Sequence, residues 1–192
     1  MEDEQQSSSI RTTIDPEGDL VLVVEEQELL VSRNVLCLSS VVFRAMLGKG
    51  SDFLESKDQV MSTDDHHLIH LKEDNYKAVK IVACAIHMQY DMVPMEVSFE
   101  ELDTIAILCD KYDLRKGLGL WPQKWSEPYV GSASMPGYER WLFIALVFRN
   151  TAAFSRVSTH LVLTTKISEN GDLEFPGSAY ADEGIPTGIL GM

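Results

Sequence analysis

The stretch Gly18-Asp19-Leu20-Val21-Leu22-Val23-Val24, with Leu29-Leu30-Val31-Ser32-Arg33 a few residues on, decides how this chain begins to fold. Leu20 to Val24 is short, apolar throughout and rich in β-branched side chains, the pattern of a strand covered on both faces. The turn cluster Asp15-Pro16-Glu17-Gly18 starts it. Glu25 to Glu28 is a polar hinge, after which Leu29-Leu30-Val31 returns as the second strand of a hairpin.

From Arg33 the apolar period changes. Val35, Leu36 and Leu38, then Ser40 as a cap, then Val42, Phe43, Met46 and Leu47 closed by Gly48, predict two short helices in series. Lys49 to Asp65 is polar and irregular, and His67 to Leu71 is a third short strand. Tyr76, Val79, Val82, Ala83 and Ile86 recur at three and four, as do Phe99, Leu102, Ile105, Ala106, Cys109 and Tyr112. These spacings predict amphipathic helices over 75–88 and 98–112. Because such short strands need helices over them, Leu22, Phe43, Val82, Ile105 and Ala106 are expected to be core residues.

The reading divides the chain into an acidic disordered tail over 1–14, a domain over 15–122, a Gly- and Pro-containing linker over 123–137, a helical extension over 138–166 and an irregular tail over 167–192. In the extension Tyr138, Trp141, Ala145 and Phe148 form one helical stripe, and Phe154, Val157 and Leu161 another.

At 192 residues the chain has room for one ordinary domain with an appendage, and 45% hydrophobic residues suffice for a real core. The net charge of −14 repels phosphate backbones, so nucleic acid and anionic membranes are not expected partners. Residues 1–30 hold nine acids and one base, so the surplus sits at the N-terminal end. Cys37, Cys84 and Cys109 lie far apart among apolar neighbours, without Cys-x-x-Cys spacing, which suits reduced core thiols. The acidic start Met1-Glu2-Asp3-Glu4 is unlike a signal peptide, and the longest apolar run, Trp141 to Phe148, is too short to cross a bilayer. The expectation is an intracellular protein, nuclear or cytoplasmic.

Candidate chemistry is sparse. His66, His67 and His70 beside Asp64 and Asp65 are the one cluster of ligand-type residues, but on a strand His67 points away from His66 and His70, so no metal site is expected. Gly117-Leu118-Gly119 has Pro122 where a dinucleotide fingerprint needs glycine. Gly131-Ser132-Ala133-Ser134 is not a nucleophile elbow. Cys37 and Cys109, flanked by leucines, read as inert. No catalytic residue and no cofactor is expected. Asp19 and Arg33 are either solvated ends or a paired acid and base at the rim of the domain, where they would orient a partner.

Taken in order, Gly18 to Val24, then Leu29-x-Val31-Ser32-Arg33-x-Val35-Leu36, then Ser40-x-x-Phe43-x-x-Met46-Leu47, resembles the front half of a BTB/POZ domain. Ile69-His70-Leu71-Lys72-Glu73-Asp74 and Leu108-Cys109-Asp110-Lys111-Tyr112-Asp113-Leu114 look like its back half. Asp110-Lys111-Tyr112, with Trp121, Trp125 and Trp141-Leu142-Phe143-Ile144-Ala145, is most similar to the short BTB proteins of filamentous fungi. The resemblance implies an α+β fold, a small three-stranded sheet capped by a cluster of helices, here with a C-terminal helical extension. It also implies a non-enzymatic interaction module, an adaptor or scaffold, with protein partners and possible self-association. A substrate adaptor of a cullin-type ubiquitin ligase is the alternative within that class, and a small metal-dependent or thiol-dependent enzyme the alternative outside it. By resemblance Asp19, Ser32 and Arg33 mark the protein-binding pocket, with Ser32 where many members carry histidine. The exchanged N-terminal arm of familiar BTB dimers is not expected, since residues 1–14 offer only Ile10 and Ile14 as apolar anchors. Self-association is expected instead through the helical face of the core or through the stripe at Trp141, Ala145 and Phe148.

Overall fold

The computed structural model describes residues 11–48, 66–132, 140–167 and 173–174. By its internal contacts the chain divides into two compact units, Met1–Pro94 with Lys111–Leu118, and Met95–Asp110 with Gly119–Met192. Among the described residues, no helix is long and apolar enough to cross a membrane.

The first unit is built on a sheet of β1 (Arg11–Thr13), β2 (Leu20–Val24), β3 (Gln27–Val31) and β4 (His67–His70), in the order β1-β3-β2-β4. β2 and β3 are the antiparallel hairpin, with Leu22 opposite Leu29. β4 runs parallel to β2 and β1 parallel to β3. The two central strands carry the apolar run, and Leu20, Val21, Leu22, Val24, Leu29, Leu30 and Val31 are all buried. Between them the two-residue turn Glu25-Glu26 has φ of 47° and 66°. A tight hairpin whose turn must match the strand twist takes this doubly left-handed form, usually with Asn and Gly. Glu25 also accepts a hydrogen bond from the Tyr76 amide at 3.3 Å, tying the turn to the helix beyond.

Four strands stand where three were expected, and the difference lies in residues 11–14. These were expected to belong to the disordered tail; they are ordered. β1 makes three parallel pairings with β3, the Arg11 guanidinium meets Glu28 at 2.7 Å, Thr12 shares a hydrogen bond with the Tyr76 hydroxyl at 2.9 Å, and Ile14 is buried. Each polar side chain of Arg11 and Thr12 has a partner, so one buried isoleucine with a short ladder offsets the ordering entropy. Residues 1–10, and Lys49 to Asp65, lie outside the described residues.

Helices α1 (Arg33–Ser39) and α2 (Val41–Leu47) follow β3. Ser40 joins them: its amide closes α1 on Leu36, and its hydroxyl accepts from the Phe43 amide at 2.9 Å to start α2. α3 (Tyr76–Ile86) starts at Asn75, whose side chain accepts from the Ala78 amide at 3.0 Å. It is buried at Ala78, Val79 and Ile81 to Ile86, more completely than its amphipathic pattern suggested. Gly117 is a packing glycine, because a Cβ there would come within 2.8 Å of the Ser39 Cβ and 3.1 Å of the Ile86 side chain.

The second unit takes most of α4 (Phe99–Tyr112), whose last two residues belong to the first. Ser98 and Glu101 form a reciprocal capping box at its start, at 2.7 and 3.2 Å. The expected core residues are buried in both units: Leu22, Phe43 and Val82 in the first, Ile105 and Ala106 in the second. Within the span expected as a linker, 123–132 is helical. α5 (Trp121–Ser126) continues into a 3-10 segment, Glu127–Ser132. Pro122 sits where a helix tolerates it, Trp125 and Ser126 are buried, and the Tyr129 hydroxyl donates to the Val97 carbonyl. Residues 133–139 lie outside the described residues.

The extension forms α6 (Trp141–Val147) and α7 (Thr151–Thr164), the latter capped by Asn150 through the Ala153 amide at 3.0 Å. The span expected as an irregular tail holds one short ladder, β5 (Lys166–Ile167) antiparallel to β6 (Leu173–Glu174). Arg140 pairs with the buried carboxylate of Asp103, and the Phe99 ring lies 6.2 Å from that of Trp141.

Candidate functional site

Asp19, Ser32 and Arg33 are brought together where β2 begins, β3 ends and α1 starts. The backbone fixes this corner. Gly18 allows it, since a Cβ would meet the Val31 carbonyl at 2.8 Å and that of Asp15 at 2.9 Å. The Asp19 amide then donates to the Val31 carbonyl at 3.2 Å, and its exposed carboxylate accepts from the Arg33 amide at 2.8 Å. Ser32 caps α1, its hydroxyl accepting from the Val35 amide at 3.4 Å. Asp19 thus meets Arg33 through the main chain. The guanidinium of Arg33 turns the other way and donates to the Leu47 carbonyl at the end of α2, at 3.4 Å. Its Nε is buried without a hydrogen-bond partner among the described residues.

Beneath this corner lies a residue the sequence reading missed. His87 follows the last residue of α3 and is buried. Its Nε2 accepts from the Ser32 amide at 3.0 Å, which leaves Nδ1 as the protonated nitrogen facing the Ala83 carbonyl at 2.8 Å. Burial pushes its pKa down, partly opposed by the Ala83 carbonyl and by Asp15. The available signal was one polar residue closing the apolar run of α3.

A second constellation explains the Asp110-Lys111-Tyr112 run. Asp74 is buried, its side chain 5% exposed, and accepts from Lys111 Nζ at 2.8 Å and from the Tyr112 hydroxyl at 2.6 Å. The Tyr112 ring stacks on Phe43 with centroids 4.7 Å apart, and the Tyr112 carbonyl accepts from the Ser40 hydroxyl. The end of α4 is thereby fastened to the segment after β4 and to the joint between α1 and α2. This is architecture, with no group poised to react.

The remaining candidates separate. His67 and His70 lie in β4 opposite Leu20 and Val23, while Asp64 and Asp65 are outside the described residues. Among the described residues no group of three or more ligand-type side chains gathers. All three cysteines are free. Burial raises each thiol above its ordinary value, for Cys37 against the pull of Arg33 and Arg44, and for Cys109 up to about 12. Thiols held protonated are poor nucleophiles.

The first unit presents some large apolar side chains to solvent. Leu38 on α1 is 78% exposed and Val41 on α2 57% exposed, on either side of the buried Ser40. Met88, Tyr90 and Met92, after α3, are exposed as well. The stripe expected as an alternative association surface is not available, because Trp141, Ala145 and Phe148 are buried within the chain.

The family model of the BTB/POZ domain matches residues 16–115. No curated protein matches the chain.

Proposed function

Because the chain belongs to the BTB/POZ domain family, a family of protein interaction modules, we propose that it is a non-enzymatic adaptor or scaffold that docks protein partners on the face of α1 and α2. One observation carries the reading: Leu38 and Val41 stand exposed on two short helices whose joint is locked by Ser40. Apolar area left in water forgoes about 25 cal/mol per Å², which a docked protein returns. A rigid joint lowers the ordering cost of that docking. The corner of Asp19, Ser32 and Arg33 adjoins the start of α1, and we assign it the orientation of the partner.

An enzyme is the weaker reading, supported by neither the raised thiol pKa values nor the separated histidines. Within the family, Asp110-Lys111-Tyr112 with Trp121, Trp125 and Trp141 supports a place among short BTB proteins of the filamentous-fungal kind. Three free cysteines support an address inside the cell, nuclear or cytoplasmic.

The chain itself is the first probe. Sedimentation of the full chain should show self-association that is lost in the double variant Leu38→Asp, Val41→Asp, with circular dichroism unchanged. A double variant that associates as the parent does would refute the docking face. Direct binding of a purified cullin to the immobilised chain would specialise the adaptor to ubiquitin ligation, and its failure would leave scaffolding as the role.

A further inference from the structure

We propose that His87 is the positioning residue of the Asp19, Ser32 and Arg33 corner, its neutral ring holding the first turn of α1, and with it Leu38 and Val41, in the orientation a partner meets. The proposal rests on the adaptor reading above and adds its control.

The two ring nitrogens are used with opposite polarity: Nε2 accepts from the Ser32 amide at 3.0 Å and Nδ1 donates to the Ala83 carbonyl at 2.8 Å. One protonation state satisfies both contacts, the neutral ring carrying its proton on Nδ1. A second proton would set an N–H against the Ser32 N–H and leave a half-buried backbone donor without its acceptor. Ser32 has little freedom to absorb that change. On its N-terminal side Val31 is buried and paired with Leu20 in the sheet. On its C-terminal side the Arg33 amide is held by Asp19. Ser32 is itself the N-cap of α1, so its displacement passes into the helix that carries Leu38.

The groups packed round the ring set its response. Ala83 on α3 and Ser32 between β3 and α1 supply the backbone contacts, and Asp15 from the connection between β1 and β2 supplies the facing charge. Asp15 and the Ala83 carbonyl favour the proton, while burial and the amide that Ser32 donates to Nε2 disfavour it and prevail. The ring therefore stays neutral at pH 7.

The test uses the full chain, with a second copy of itself as the binding probe. His87→Gln keeps an acceptor within reach of Ser32 and cannot titrate; His87→Leu removes the acceptor. Amide exchange at Ser32, corrected for intrinsic pH dependence, is followed at about pH 7.5 and at the lowest pH at which circular dichroism still shows the folded chain, and self-association by sedimentation equilibrium at the same values. Ser32 should be protected at both values in His87→Gln, at neither in His87→Leu, and in the parent at the higher value alone. Self-association of the parent should weaken about tenfold in acid, while that of His87→Gln holds. Protection in His87→Leu, or an equal acid response in the parent and His87→Gln, would overturn the proposal. A parent chain monomeric at both values would overturn α1 and α2 as the docking face, and Ser32 exchange would still decide the role of His87.

Discussion

Tyr112 donates its hydroxyl to Asp74 at 2.6 Å while Lys111, its neighbour in sequence, reaches the other oxygen of the same carboxylate at 2.8 Å. One buried acid is thus answered by two consecutive residues on one helix end. The pair of contacts is unequal, because the Lys111 side chain is 41% exposed and the Asp74 side chain is not.

That inequality orders three substitutions. Asp74→Ala should cost about 3 kcal/mol, since it strands a buried hydroxyl. Tyr112→Phe should cost about 1 to 2 kcal/mol, and Lys111→Met less than about 1 kcal/mol, as exposed ion pairs do. Urea unfolding of the three variants checks the order, and a Lys111 variant weaker than the Asp74 variant would contradict it.

Ile14 should behave as a core residue. Ile14→Ala is expected to cost about 2 to 4 kcal/mol, and removing residues 1–13 should also destabilise the chain by taking away β1. A thermal midpoint that stays put after the truncation would show that β1 adds nothing.

His87 makes the fold acid-sensitive. Its folded pKa lies below the ordinary 6.5, so the unfolded chain takes up the proton first. Its contribution to stability is present above pH 6.5, falls as pH drops from there through the folded value, and is constant below it. Unfolding free energies measured across that window should fall less steeply for His87→Gln than for the parent.

Asp103 has the opposite sign. Burial raises its pKa above the ordinary 3.8 against the pull of Arg140, so its contribution is present below 3.8 and lost as pH rises through the folded value. Arg140→Met should therefore destabilise more at pH 7 than at pH 4, by about 1 kcal/mol at the higher value, since the guanidinium is partly exposed. Equal losses at the two values would show that Arg140 acts through packing.

Much of this was legible in the sequence. The five apolar residues of β2, the return at Leu29 and the serine between two apolar clusters each state a local preference that the fold keeps. What escaped was set by distance. β1 is three polar residues whose partners are Glu28 and Tyr76, so no window around Arg11 reveals a strand. The Gly- and Pro-containing stretch with Gly131 read as a linker, yet residues up to 132 are helical and the buried Trp125 anchors them. At the candidate site, Asp19 and Arg33 stood out by their charge. Their joint geometry depends on the main chain and on His87, whose one local sign is a polar residue closing the apolar end of α3. The Asp74 carboxylate acquires its meaning only when residues 111 and 112 arrive.

β2 has one neighbour that follows it at once and another, β4, that begins at residue 67. A ribosome adding about 5 to 20 residues per second completes the hairpin early and then makes some forty more residues before the second neighbour exists. For roughly 2 to 8 seconds the far side of Leu20 to Val24 is an open, wholly apolar strand edge. The parallel pairing of β2 with β4 thus sets a vulnerable interval in the birth of the protein. In that interval two chains emerging from the same message can meet edge to edge, or a chaperone can cover the strand first.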